Sequence, residues 1–311
     1  MGHRWWRRGG GEQPDRVTAV TAVPPPTGPF RWDLVSPAQL GALLDAAPEP
    51  DLWFLPDLLD CAGKVLARSA DADLYFVGRS PDSIFDLLSG ALAATTWRDR
   101  CHQLPLSLWS DPDAMTPAQV AQFRSNLSHL GITPHGLAHR QRPVAFVDLV
   151  FGGRTYENLF HLLRRWISEE RAAWSVIRTK VRFIGITART KTSPNTWRWY
   201  QAAPWATHLP RRALVGVSLR RWVWEYFGDH QHKITRSFPV ARWLDQDTHL
   251  PARDPKALAA LAEAVAIVAY GRSPEGRAGL TAAITGEPTM REPWVRSLVT
   301  ELRRPTTTRQ T

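Results

Sequence analysis

The chain reads as an α/β protein built on a parallel sheet, and three observations predict it. Short apolar runs that end in a turn recur at 73–78, 144–151 and 181–187. The first two are followed at once by apolar positions at helical spacing. The chain has 311 residues, 43% of them hydrophobic, enough for a large buried core. Strand, turn and helix repeated in this way place helices on both faces of a parallel sheet.

The elements follow in order. Residues 1–30 are rich in Gly and Pro (Gly9 to Gly11, Pro24 to Pro26) and read as a disordered arm. Ser36-Pro37 starts a helix, with Ser as N-cap and Leu40, Leu43 and Leu44 on one face. A second helix lies within 51–67, with Leu55, Leu58 and Leu59 inward. Asp73 to Gly78 is a buried strand, 79–83 a turn, and Ile84, Phe85, Leu88, Ala91 and Leu92 mark a helix. Leu104 to Trp109 reads as another strand. Pro117 to Leu130 is a helix with Val120, Phe123 and Leu127 on its stripe, stopped by Gly131. Val144 to Val147 is core strand, and the helix after it carries Phe160, Leu163, Trp166 and Ile167 inward. Val181 to Thr187 is a strand, 213–218 a further strand and 221–227 a short helix. Lys256 to Tyr270 opens a helical region reaching about Leu302, and 305–311 is a polar tail. The domain reading is an arm over 1–30, an α/β core over 31–190, a basic Trp-rich helical extension over 191–303 packed on that core, and a tail over 304–311.

Composition narrows the class. No apolar run reaches the length of a transmembrane helix, and the basic start runs into Gly9-Gly10-Gly11 instead of an apolar signal region, so the expectation is a cytoplasmic protein without a membrane partner. Two cysteines, Cys61 and Cys101, make neither a disulfide framework nor a zinc motif. The net charge of +10 is regional: residues 174–243 hold 13 Lys or Arg against two Asp or Glu. Arg predominance follows from codon bias, but the scarcity of acids in that segment does not, and it argues for an anionic partner.

In such a sheet, ligands sit beyond the carboxyl ends of the strands. Two loops belong on that rim. In 147–155, Asp148 marks the point where the strand leaves the sheet. Gly152 and Gly153 lack a Cβ and allow backbone N–H groups to converge. Thr155 can cap the next helix, whose N-terminus favours phosphate, and Arg154 adds a cation. An acid ahead of such a cradle accepts hydrogen bonds from sugar hydroxyls, so the loop suits a ribose 5-phosphate. The second rim loop is Gly78-Arg79-Ser80.

The stretch Val147-Asp148-Leu149-Val150-Phe151-Gly152-Gly153-Arg154-Thr155 resembles the PRPP-binding loop of type I phosphoribosyltransferases, an apolar strand, two adjacent acids and then Thr-Gly-x-Thr. Leu74 to Gly78 followed by Arg79-Ser80 is similar to that family's earlier pyrophosphate loop, and the two come in the family's order. The resemblance covers roughly 70–190. It implies a phosphoribosyltransferase-like core that takes PRPP or a nucleotide: Asp148 on the ribose and in the catalytic position, Gly152, Gly153, Arg154 and Thr155 on the 5-phosphate, and Gly78, Arg79 and Ser80 near the pyrophosphate. Magnesium would enter with PRPP, with no direct protein ligand. The chain departs from the pattern at Leu149, where the second acid belongs, and in a loop one residue shorter.

The segment 174–243 also holds Trp174, Trp197, Trp199, Trp205, Trp222, Trp224 and Trp243. Indoles stack on bases and arginines contact phosphates, so nucleic acid is a candidate partner of this block; core packing is the alternative use of the same indoles. His230-Gln231-His232 and His208 lack a third metal ligand at a convincing spacing, so a hydrogen-bonded or surface pair is the reading. Neither cysteine has a neighbouring cue for a nucleophile. The leading expectation is a phosphoribosyltransferase or close derivative in which a nitrogen nucleophile displaces pyrophosphate, with a homo-oligomer admitted. The alternative is a non-catalytic nucleotide sensor or nucleic-acid-binding regulator on the same fold.

Overall fold

The structure is a computed structural model that describes residues 24–45, 47–189, 198–245 and 250–304. Among these residues, five strands form one all-parallel sheet: β1 (Asp73–Val77), β2 (Cys101–Leu104), β3 (Val144–Leu149), β4 (Val181–Arg189) and β5 (Leu214–Arg220), in the spatial order β2-β1-β3-β4-β5. The register pairs Phe76 with Val147, Asp148 with Gly185, and Ile186 with Val217. The expected α/β class with a parallel sheet is what the chain forms.

Alternation along each strand makes two cores. Leu74 and Phe76 of β1, Ala145 and Val147 of β3 and Ile184 and Ile186 of β4 face α1 (Leu55–Arg68) and α2 (Asp82–Leu92). Tyr75 and Val77, Val144 and Phe146, and Val181 and Phe183 face α3 (Pro117–His129), α4 (Pro134–His139) and α5 (Arg154–Glu169). The short α6 (Trp174–Ile177) leads into β4, and α7 (Arg221–Glu225) continues into a π-helical turn over Tyr226–His230. α8 (Pro255–Arg272), α9 (Pro274–Thr285) and α10 (Pro293–Arg303) complete the α1/α2 side. Among the described residues no helix is long and apolar enough to cross a membrane.

Several expectations shift. The strand expected over 104–109 is displaced to Cys101–Leu104, because Pro105 has no N–H to continue the ladder; beyond it Ser107 makes only an isolated bridge to Pro239. The helix expected from Ser36 is a single 3-10 turn, Pro37–Leu40, with no capping bond from the Ser36 side chain, and it stops at Gly41 with a φ of +51°. Of the arm expected over 1–30, residues 1–23 lie outside the described residues, whereas 24–30 run against α3: Ser125 Oγ donates to Pro24 O and Thr27 N donates to Asn126 Oδ1 at 2.8 Å. The sheet also continues past residue 190, since β5 is its fifth strand, paired with β4 along its whole length. Of the expected tail, 305–311 fall outside the described residues.

Candidate functional site

The strand order turns at β1 and β3. The chain leaves β1 towards β2 on one side and then enters β3 on the other, which opens a crevice at the carboxyl ends of these two strands. A cavity of about 430 Å³ lies there. Gly78, Arg79 and Ser80 line it from the end of β1, and Asp148 and Thr155 from the end of β3 and the start of α5. The first rim loop and the two ends of the second therefore meet at one site.

Gly78 lets the chain leave β1 because its φ of +73° is in the left-handed region, while its N–H still donates to Leu104 O at 2.9 Å. Arg79 is then held by a 2.9 Å bond from Nη1 to Thr235 O. Burial lowers its proton affinity from the usual arginine value. The sequence suggests a local pairing of Arg79 with Asp82, but Asp82 and Asp86 in α2 instead take Arg31 between them, at 3.1 and 2.5 Å. Arg31 thus neutralises the acids beneath this loop, while burial still lifts the Asp86 carboxyl to about 6.

Asp148 occupies the last turn of the pleat before β3 ends, on the α5 side, and is only 7% exposed. No side chain among the described residues forms an ion pair or hydrogen bond with its carboxylate, which has only the backbone N–H of Leu149. Burial pushes its carboxyl well above the usual range. Beside it, Tyr156 is fully buried and donates to Ile184 O at 2.7 Å, its phenol raised by burial and by the Asp148 charge. Leu149 points to the other face, into the α1/α2 core, so no second acid stands next to Asp148.

The glycine loop is arranged differently from the expectation. Gly153, with a φ of +79°, is the N-cap of α5, and Thr155 is inside the helix with no capping bond. Thr155 lines the cavity, but Gly152, Gly153 and Arg154 do not. Gly152 is exposed and a Cβ there would meet open space. Arg154 turns to a separate hollow beside Asp111, Asp113 and Glu157. The left-handed Gly153 aims the loop outwards, which leaves Phe151 86% exposed.

Sequence reasoning missed the opposite wall. The π-helical turn after α7 and the segment behind it bring Asp229, Gln231, His232 and Lys233 to the same cavity. Gln231 fixes this wall: its Nε2 donates to Ser83 Oγ at 2.7 Å and to Glu263, while its Oε1 accepts from Lys233 Nζ at 2.6 Å. Burial is the main influence on Lys233 and brings its ammonium down to about 8. Ser107 N adds a bond to Phe238 O at 3.2 Å, and Trp109, 72% exposed, lines the cavity from the β2 side. The sequence cues to this wall were the excess of cations after 174, which names no position, and His230-Gln231-His232, which drew attention as metal ligands and not as the wall of a cavity.

Other expectations are redistributed. Trp199, Trp205 and Trp243 are core, at 5, 3 and 0% exposure; Trp174 and Trp224 are half-buried and Trp222 is 57% exposed. Trp197 lies outside the described residues. The Trp-rich block therefore packs more than it displays. His208 stacks on Phe160 at 6.0 Å, away from His230 and His232, and no group of three or more His, Cys, Asp or Glu among the described residues is arranged to hold a metal ion. Burial raises the thiols of Cys61 and Cys101 to about 12, so both are protonated at neutral pH. No family model, curated protein or solved structure matches the chain.

Proposed function

We propose that the cavity between β1 and β3 binds a nucleotide or a related phosphorylated ribose such as PRPP. The observation that carries this is Asp148: a buried carboxylate with no side-chain partner among the described residues, lining a polar cavity that also holds Arg79 and Lys233. A buried charge without a counter-charge and with a single backbone hydrogen bond destabilises a protein, and a ligand donor that completes its shell reduces the penalty. Vicinal ribose hydroxyls are such donors. Ser80, Arg79 and Lys233 form the anion-binding end, and Trp109 offers an indole face to a base. Gly152, Gly153 and Arg154 stand apart from this arrangement, so the phosphate is assigned to the Arg79–Lys233 side and not to the glycine loop.

The finer reading is a core akin to the type I phosphoribosyltransferases. It is supported by Gly78–Ser80 and the two ends of the 147–155 loop, Asp148 and Thr155, lining one cavity in the family's order. In transfer, a nitrogen nucleophile would bond to the ribose anomeric carbon as its bond to the pyrophosphate oxygen breaks; pyrophosphate leaves with that electron pair, and the nitrogen loses its proton. The protein's part is positioning and charge stabilisation. Asp229 is the second carboxylate on this cavity, and magnesium enters on the ligand's phosphates.

Calorimetric titration with AMP, adenosine and PRPP, with and without magnesium, tests the reading. AMP or PRPP binds, and Asp148→Asn weakens either by at least about tenfold, roughly the 1.5–3 kcal/mol of a hydrogen bond to a charged group. Affinity falls as the pH rises through 8, where Lys233 loses its proton. Binding that Asp148→Asn leaves untouched would sink the assignment. Pyrophosphate release from PRPP with candidate bases supports an enzyme; binding without release supports a sensor.

A further inference from the structure

All strands run the same way, so the residues that precede them collect on one edge of the sheet, opposite the cavity. Before β3 come Arg140 and Arg142, before and at the start of β4 come Arg178, Lys180 and Arg182, and before β5 come Arg211 and Arg212. Neighbouring strands are about 4.8 Å apart, so this row of cations spans roughly 10 Å from β3 to β5.

The acids near this edge are already used. Asp71 and Asp73 are shared by Arg100 (2.8 and 3.3 Å), Arg140 and Arg142. At the end of α5, Glu170 takes the Trp166 indole N–H and Glu169 takes Arg124. Arg178, Arg182, Arg211 and Arg212 have neither an ion pair nor a side-chain hydrogen bond among the described residues. Arg182 is half-buried and sits close enough to Arg212 for the two charges to oppose each other, on top of the cost of burial. Like charges held together without a counter-charge are unfavourable in the free protein and become favourable against a polyanion.

We propose that this edge, made by Arg178, Arg182, Arg211 and Arg212, is a docking surface for a nucleic-acid phosphate backbone. Arginine suits phosphate through its paired, planar N–H donors. Among the described residues, Val176 is the exposed large hydrophobic side chain of this edge, and Trp174 beside it is half-buried under the Arg164 guanidinium. The surface therefore lacks stacked indoles for reading bases and an apolar wedge for entering a lipid bilayer. Binding is accordingly independent of sequence and dominated by counterion release. The proposal does not depend on what the cavity takes.

Fluorescence anisotropy tests it with a single-stranded RNA and a duplex DNA of mixed sequence, each about 20 units long, between 50 and 200 mM salt. Four phosphate contacts give a slope in log K against log salt of about −3.6 for the duplex and about −2.8 for the single strand, a loss on the order of 10²-fold and about 50-fold over that range. Exchanging Arg178, Arg182, Arg211 and Arg212 for Gln removes most of that slope and of the affinity at 50 mM. A control with the same charge loss elsewhere, Arg253, Arg291, Arg296 and Arg303 to Gln, keeps both. Far-UV circular dichroism and melting check the fold of each variant. If changing Arg182 unfolds the chain, the three exposed positions are exchanged without it, and a slope less steep by two or more carries the same meaning. Equal losses in both variants, a flat salt response, or absence of binding to either nucleic acid overturns the proposal. So does arginine-dependent binding to vesicles rich in phosphatidylserine in place of nucleic acid.

Discussion

Asp148 carries the clearest conflict between stability and use in the molecule. Its carboxyl titrates well above the ordinary value because it is buried, so the unfolded chain loses that proton first as the pH rises. Over that interval the native state holds more protons than the unfolded state, and stability falls with rising pH until the native carboxyl has ionised. Asp148→Asn removes this loss. We expect the variant to be more stable at pH 7 by roughly 1–3 kcal/mol, with a flatter stability–pH profile above pH 4 in urea unfolding. Lower stability in the variant would mean that the carboxylate has a structural partner and would weaken the ligand argument. The identity of this residue, at the end of an apolar strand and before a glycine turn, was legible in the sequence. Its burial without a partner was not, because that depends on Tyr156, Thr155 and the β4 backbone closing around it.

At the scale of elements, helix contacts are set by small residues that sequence periodicity treats as neutral. Gly90 in α2 lies against the backbone of α8, where a Cβ would come 2.1 Å from Val268 O, and Gly271 in α8 returns the contact at 2.3 Å from Leu87 O. The two helices cross at a distance that only glycine permits at both positions. Gly90→Ala must push α8 away, and we expect a loss of about 1–3 kcal/mol, read as a lower denaturation midpoint with an unchanged m-value. Periodicity placed α2, α3, α5 and α8 correctly because each has an apolar stripe several turns long. It misplaced β2, whose middle residues His102 and Gln103 are polar and half-exposed while the apolar run behind Pro105 is loop. The α5 start was misread for a related reason: Thr155 has capping chemistry, but the left-handed Gly153 had already set the first turn.

For the whole molecule, the segment that sequence composition sets apart is woven into the sheet and both cores. β5 is hydrogen-bonded to β4, Trp243 is fully buried and stacks on Phe123 at 6.2 Å, and Trp199 Nε1 donates to Val215 O at 3.1 Å. Arg68 reaches from α1 to Glu287 beyond α9, with both N–H···O bonds at 2.8 Å. Calorimetry should therefore show one unfolding transition, with calorimetric and van't Hoff enthalpies equal, and removal of 191–311 should abolish cooperative folding. Two separable transitions would mean that the extension folds on its own.

The sequence by itself determined the α/β class, the parallel sheet, the two rim loops and the regional excess of charge. These follow from local rules: apolar runs bury, glycine turns, and net charge adds regardless of fold. Only the tertiary structure decided which of those residues share a space. It brought Gly78–Ser80 and Asp148 to one cavity, turned Gly152–Arg154 away from it, supplied Lys233 and Asp229 from a wall some 80 residues later, and placed Arg178, Arg182, Arg211 and Arg212 at the opposite edge. The reason is geometric: proximity across a parallel sheet is set by strand order and by the direction in which each loop leaves its strand, and neither is written in the spacing of residues along one segment.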